Sequence, residues 1–333
     1  LKILSFVAMC LIAQQLSGAE IQLLSKIKFK GKVLAADNIS AVAVLGDGEF
    51  LVIGSDEGTH IQVLRRTNDN EYTVHHNIRL AQGDTGKEID VEGIASSGDR
   101  LYIVGSHSRK RLKIKPSDNT QQENHELLEG NVREELRENL FELRLNAAGE
   151  PTSDVETKSL RPRIASDPVL RQFLKIPSKE NGVDIEGIAA AHGDELYVGF
   201  RGPVLREGYV PILVFDFDKP QKAKTVYVKL GGRGIRDLVR VSDGFLIIGG
   251  PVGGEPVTFE IYHWDGEDCM AGSDNLSPKD PKSLGVIPLP NDQSKAEGIA
   301  VVSETDTHYD VLIVFDGPTN GQPTQFRVEK QLR

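Results

Sequence analysis

Cysteine is nearly missing. The 333-residue chain has two, Cys10 and Cys269. Cys10 lies in an N-terminal segment read below as removable, and Cys269 alone cannot form an internal disulfide. A disulfide scaffold is therefore excluded, and stability has to come from a packed core. Positive charge is also short: 39 Lys and Arg stand against 49 Asp and Glu, a formal net charge of −10. That balance argues against nucleic acid and anionic membrane surfaces as partners. It suits cations or neutral ligands, and still allows an anion held in a locally basic pocket. Beyond the first twenty residues no apolar run is long enough for a membrane helix. The eight histidines show no zinc spacing. There is no G-x-S-x-G elbow. The Gly-rich "GGRG" at Gly231 precedes a strand rather than a helix, so it is neither a P-loop nor a dinucleotide fingerprint.

The first segment, "LKILSFVAMCLIAQQLSGAE", has a lysine at position 2, an apolar run from Ile3 to Ala13, and small residues at Ser17 and Ala19. This is the pattern of a secretory signal peptide spanning residues 1–19. It implies an exported protein, periplasmic or secreted. Residues 20–333 then form one large domain, in a chain whose apolar content of 39% is enough for a core.

Five similar apolar runs follow: "EFLVIGS", "RLYIVGS", "ELYVGF", "GFLIIGG" and "DVLIVFDG". Each comes after a turn, and before each turn stands another short strand: "ISAVAV", "VEGIAS", "IEGIAA", "IRDLVRV" and "AEGIAVV". Two further strands follow in most units. Four strands per repeat at this period predict an all-β, five-bladed β-propeller, or six blades if an insertion hides strands. The last unit lacks its outer strand, while "EIQLLSKIKFKG" at the N-terminus is a spare one. The spare strand, Glu20 to Gly31, is expected to pair with "QFRVEK" and close the ring. A polar stretch at about 108–136 interrupts the second repeat and reads as a helical surface insertion. Its basic run "RKRLKIK" lacks interleaved aromatics and reads as a solvated face. "ASDPVLRQFLKIP" predicts a short helix capped by Ser166 or Asp167, with Pro168 in its first turn.

One phrase recurs: "DVEGIA" at Asp90, "DIEGIA" at Asp184 and "KAEGIA" at Lys295. Glu92, Glu186 and Glu297 thus share one position at the start of a blade's first strand. Asp237 or Arg236 takes it in the fourth repeat and Ser40 in the first. In a propeller these positions converge at the mouth of the central channel. Loops carrying Asp56, His107, Arg109, Arg201 and Asp316 surround them. Two readings stand. Each glutamate can lock its blade turn through backbone amides, a purely structural acidic ring. Alternatively, crowded carboxylates require a cation, and oxygen-only ligands suit Ca²⁺ ahead of Mg²⁺.

The ordered set "DIEGIA", "GFRGPVL", "GIRDLV" with "LIIGGP", and "KAEGIAV" resembles the bacterial family of unknown function DUF3616. The resemblance runs from about Asp37 to Asp316. That family is in turn similar to phytase-like and esterase-like β-propellers, whose glutamates stand at the same strand starts. The resemblance implies at most a hydrolase with a divalent cation. Its matching positions are Glu92, Glu186, Glu297, Arg201, Arg236 and Asp237; Ser40 departs from the pattern. The resulting expectation is a metal-assisted hydrolase of a phosphate ester or lactone. Glu92, Glu186, Asp237 and Glu297 would hold the metal, with Glu92 or Glu186 also acting as general base. Arg201, Arg233, Arg236, His107 and Asp316 would contact a small, anionic substrate of a monomeric protein. The competing expectation is a non-catalytic ligand-binding or scaffolding propeller.

Overall fold

The computed structural model describes residues 21–81, 87–191 and 195–331. Residues 1–19, expected from the sequence to be a signal peptide, lie outside the described residues. Five antiparallel four-stranded units succeed one another along the chain. In blade 1 the strands run Ile39–Leu45, Phe50–Ser55, His60–Asn68 and Glu71–Arg79. Blade 2 holds Val91–Ser97, Arg100–Gly105, Leu140–Arg144 and Glu156–Lys158. Blades 3 and 4 begin with Asp184–Ala190 and Gly234–Val241 and end with Lys224–Lys229 and Lys282–Val286. Blade 5 runs Lys295–Glu304, His308–Asp316 and Thr324–Glu329. Each innermost strand touches the innermost strands of both neighbouring blades, and the last touches the first, so the ring is closed. It is a five-bladed β-propeller.

Short, almost uninterrupted apolar runs form these second strands because each sheet is covered on both faces. Alternation then divides one strand between two cores. Leu101 and Ile103 pack between blades 1 and 2, whereas Tyr102 and Val104 pack between blades 2 and 3. Leu246 and Ile248 face blade 5; Phe245 and Ile247 face blade 3.

The seam between the first and last blades is made by the N-terminal segment. Gln22–Lys26 pairs antiparallel with the Thr324–Arg327 stretch of blade 5. The pairing ends there, short of Gly31. Lys28–Lys30 instead crosses over and adds a parallel fifth strand to blade 1, opposite Glu71–Thr73. The cause is local: Ile27 and Phe29, 5% and 4% exposed, insert into the core between blades 5 and 1. That turns the chain from one sheet edge to the next. Burying these two side chains contributes about 1.5–3 kcal/mol each.

The insertion contains no sixth blade. Arg109–Arg111 and Asn131–Arg133 form a two-stranded ribbon, and between them lies a helix, Gln121–Glu129. Thr120 and Glu123 cap that helix reciprocally. The helix expected to begin at Pro168 instead ends before it, at Arg161–Ser166. Asp167 closes it and then accepts from the amides of Val169 and Leu170, opening a single 3-10 turn at Leu170–Gln172. Among the described residues no helix is long and apolar enough to cross a membrane.

Candidate functional site

All five innermost strands break register at the same place. The pairing skips Ser40, Glu92, Glu186, Arg236 and Glu297, one residue per blade. A bulge leaves the extra residue unpaired and re-aims its side chain, here into the channel mouth. Five equivalent bulges therefore build a ring of five side chains, and the repeated glutamate is the residue on the bulge.

The glycine that follows has its own reason. A Cβ on Gly93 would lie 2.8 Å from the Ile188 amide nitrogen, and one on Gly187 would lie 2.7 Å from the Asp237 Cα. Neighbouring strand backbones pass too close for a side chain. Blade 4 has Asp237 at this step. Its carboxylate turns into the blade interface and accepts from the amides of Leu238 and Ile299, 2.8 Å each. Asp237 is thus an interface clamp. It does not line the mouth, and the ring residue of blade 4 is Arg236.

Two residues before each bulge a second layer forms. Asn38, Asp90, Asp184 and Lys295 all line the same cavity of about 240 Å³. In blade 4 this position is Gly234, because the Arg201 carbonyl would stand 2.0 Å from a Cβ. Arg201 and Asp316 enter from the ends of the second strands of blades 3 and 5, Asp56 from just past that of blade 1, and Arg137, Lys110 and Lys179 from the insertion and the turn before blade 3. Among the described residues, then, seven carboxyl groups and six cations line one small, wholly polar mouth.

The cations are distributed unevenly. Arg201 pairs with Asp184 and, at 2.6 Å, with Glu186. Arg236 lies 3.0 Å from the other Glu186 oxygen and also pairs with Glu297. Arg137 holds Asp90 at 2.5 Å and Glu88 at 2.8 Å, and Lys295 holds Asp316 at 2.5 Å. Glu92 and Asp56 have no such partner among the described residues. Asp56 Oδ1, Glu297 Oε2 and Arg201 Nε are buried without a hydrogen bond.

Burial and like charge raise the pKa of both unpaired groups. Glu92 is pushed well above the ordinary carboxyl range, by burial first and then by Glu186, Asp90, Asp184 and Glu297. Asp56 is pushed up to about 7, by burial and then by Asp90 and Asp316. Glu297 also rises to about 7 by burial, although Arg236 opposes the rise. Asp184 rises to about 6, with Arg201 opposing. Burial works against the Arg201 charge, yet Asp184 and Glu186 hold its pKa above the ordinary value.

Several residues expected around a substrate lie elsewhere. His107 is buried under the mouth, its Nδ1 2.8 Å from the Gly105 carbonyl and its Nε2 accepting from the Leu160 amide. Burial lowers its pKa to about 4, so it is a neutral structural brace. Arg233 points outward along blade 4, bonded to Thr258, Tyr262 and Glu260. Asp90, Asp184 and Lys295 are mouth residues that the repeat alignment passed over, whereas Asp56 comes from a loop expected to surround the mouth. The D-x-E spacing of "DVEGIA" and "DIEGIA" carried a signal for the first two. Arg137 had none, since it reaches the mouth from inside the insertion.

A hard cation needs several free oxygen donors converging on it. Here both Glu186 oxygens face guanidinium groups, one Glu297 oxygen does, and Asp237 is turned away. Among the described residues no group of three or more His, Cys, Asp or Glu side chains is placed to hold a metal ion. The donor set in this arrangement does not fit a divalent cation.

A family profile matches residues 38–328, from just before the first bulge to the closing strand. The chain belongs to DUF3616. That family is described as proteins of unknown function. No curated protein is a significant match to the sequence. Among solved structures, a hypothetical protein from Leishmania major is similar at 13% identity. The alignment covers 93% of this chain and 91% of that one, with a TM-score of 0.44. The Cps50 (Swd1) β-propeller domain of Myceliophteria thermophila is similar at 12% identity, covering 92% and 99%, with a TM-score of 0.39. Hydrazine synthase of Kuenenia stuttgartiensis is similar at 12% identity with a TM-score of 0.39; 86% of this chain spans 65% of that chain's length.

Proposed function

We propose that the channel mouth is an acid–base site for hydrolysing a small polar ester or lactone. The observation that carries this reading is the isolation of Glu92. It is the one glutamate on the bulge ring that forms no ion pair, with Arg201 near enough only to act on it through space. A buried carboxyl pushed well above its ordinary range is suited to donate a proton, and Asp56, near 7, is matched to accept one at neutral pH. In the reaction, Asp56 takes a proton from water as the water oxygen bonds to the acyl or phosphoryl centre. The bond from that centre to the leaving oxygen breaks, and Glu92 gives that oxygen its proton. Arg201, whose Nε is unpartnered, stabilises the oxyanion that develops. Glu186 is clamped between two arginines, so its part is to position them.

The test is hydrolysis of a panel of lactones, carboxylic esters and phosphate esters, with chelator or with added Ca²⁺ or Mg²⁺. Glu92→Gln is expected to lower kcat on any active substrate by about 10²–10⁴-fold. The same variant should melt no lower than the parent at pH 8, because it removes a carboxyl whose ionisation the fold resists. Turnover unaffected by Glu92→Gln would refute the assignment. Activity that vanishes with chelator and returns with Ca²⁺ would replace it with the metal-assisted reaction. No turnover on any member of the panel would leave a binding propeller.

A further inference from the structure

Lys179 is the one lining cation that the charge pairing leaves over. Lys110 pairs with Glu134, and Arg137, Arg201, Arg236 and Lys295 are paired as described. Lys179 has no ion pair among the described residues, and its side chain is exposed at the edge of the cavity. Its backbone, by contrast, is fixed. It sits in the Ser178–Glu180 turn, followed by Asn181 at φ 66°. Asn181 Oδ1 accepts from the Val204 amide at 2.7 Å, and its side-chain nitrogen donates to the Val204 carbonyl. Glu180 is bound bidentately by Arg111 of the insertion ribbon. At Gly182 a Cβ would fall 1.9 Å from the Ile176 carbonyl oxygen, so the chain there is packed against itself. A braced turn thus presents a free ammonium over the mouth.

The cavity below is lined by carboxyl, guanidinium, ammonium, amide and hydroxyl groups, with neither an aromatic nor an aliphatic side chain. Such a lining offers nothing to an apolar ligand. It suits a molecule bearing many hydroxyl groups, each able to donate to a carboxylate and accept from an arginine. At about 240 Å³ the space lies below the roughly 300–1,000 Å³ of drug-sized sites, which points to a ligand of about monosaccharide size.

We propose that the ligand is a small polyhydroxylated molecule with one anionic group, phosphate or carboxylate, and that Lys179 is the residue that selects it. This rests on the reading of the mouth as the substrate site. Lys179 supplies an unpaired positive charge for that anionic group, although the chain as a whole carries −10.

The test is calorimetric titration of the full chain with glucitol, glucitol 6-phosphate and gluconate, none of which is a lactone or carboxylic ester. The parent should bind at least one anionic ligand tenfold or more tightly than glucitol. Lys179→Ala should abolish that preference, and Lys179→Arg should keep it. A preference for glucitol 6-phosphate alone identifies phosphate; one shared by gluconate identifies an anionic end of either kind. Equal affinity for all three, no binding at millimolar ligand, or a preference that survives Lys179→Ala would each overturn the proposal. Because gluconate has no ester bond and hydrolysis of the phosphate is assayed separately, Lys179-dependent selection in a chain with no hydrolytic activity would sink the hydrolase and keep the selectivity.

Discussion

Removing Arg236 tests the electrostatic account of the mouth most directly. The side chain is 4% exposed and lies between Glu186 and Glu297. Arg236→Met keeps much of the aliphatic volume and deletes the charge. Two buried carboxyl groups then lose their shared cation. Breaking a buried ion pair in this way costs about 3–5 kcal/mol. With about 2–4 °C per kcal/mol for domains of 150–250 residues, and less for a larger one, the melting temperature should fall by roughly 5–15 °C at pH 7.5. The pH dependence follows from the direction of the shifts. Glu297 has its folded pKa raised from 4.5 to about 7, so the folded state binds the proton more tightly than the unfolded chain. Its ionisation therefore removes stability as pH rises through the window from 4.5 to 7. Arg236 limits that loss. Without it the carboxyl pKa values rise further, so the variant's deficit should be largest above pH 7 and shrink toward pH 5, where the carboxyls are protonated anyway. Urea unfolding of both proteins at several pH values measures this. A deficit below about 1 kcal/mol at pH 7.5, or one that grows as pH falls, would refute the argument that Arg236 neutralises the ring.

Two further predictions concern the frame that carries the ring. Gly93→Ala should destabilise by about 1–3 kcal/mol, since the added Cβ meets the Ile188 backbone at 2.8 Å; Gly254→Ala, with nothing within 4 Å, should be near neutral. Equal effects in thermal melts would show that close strand approach is not why glycine follows the glutamate. Phe29→Ala, at the seam between blades 5 and 1, should cost about 3–5 kcal/mol and expose the N-terminal segment to protease. Unchanged stability and unchanged cleavage would show that the ring closes without it.

The sequence by itself determined the ring. Five Val/Ile/Leu runs between turns, each preceded by a similar strand, require sheets covered on both faces, and a stack of such sheets with a spare strand at one end closes on itself. It also marked where the channel-mouth carboxylates gather, because Glu92, Glu186 and Glu297 fall at one step of the repeat. Only the tertiary structure decided how those residues are placed and paired. A bulge is a mismatch between two strands, so neither strand's sequence displays it. Arg236 replaces a glutamate in the repeat alignment, but that it reaches both Glu186 and Glu297 depends on the width of the channel. Arg137 comes to Asp90 from 47 residues away, out of an insertion that reads as solvated surface. Asp237 looked like a ring member and is an interface clamp, because one step along a strand sends a side chain to the other face. The charge state of Glu92 belongs to no local pattern at all. It is set by which neighbours across the channel bring a cation and which do not, and that is a property of the closed ring.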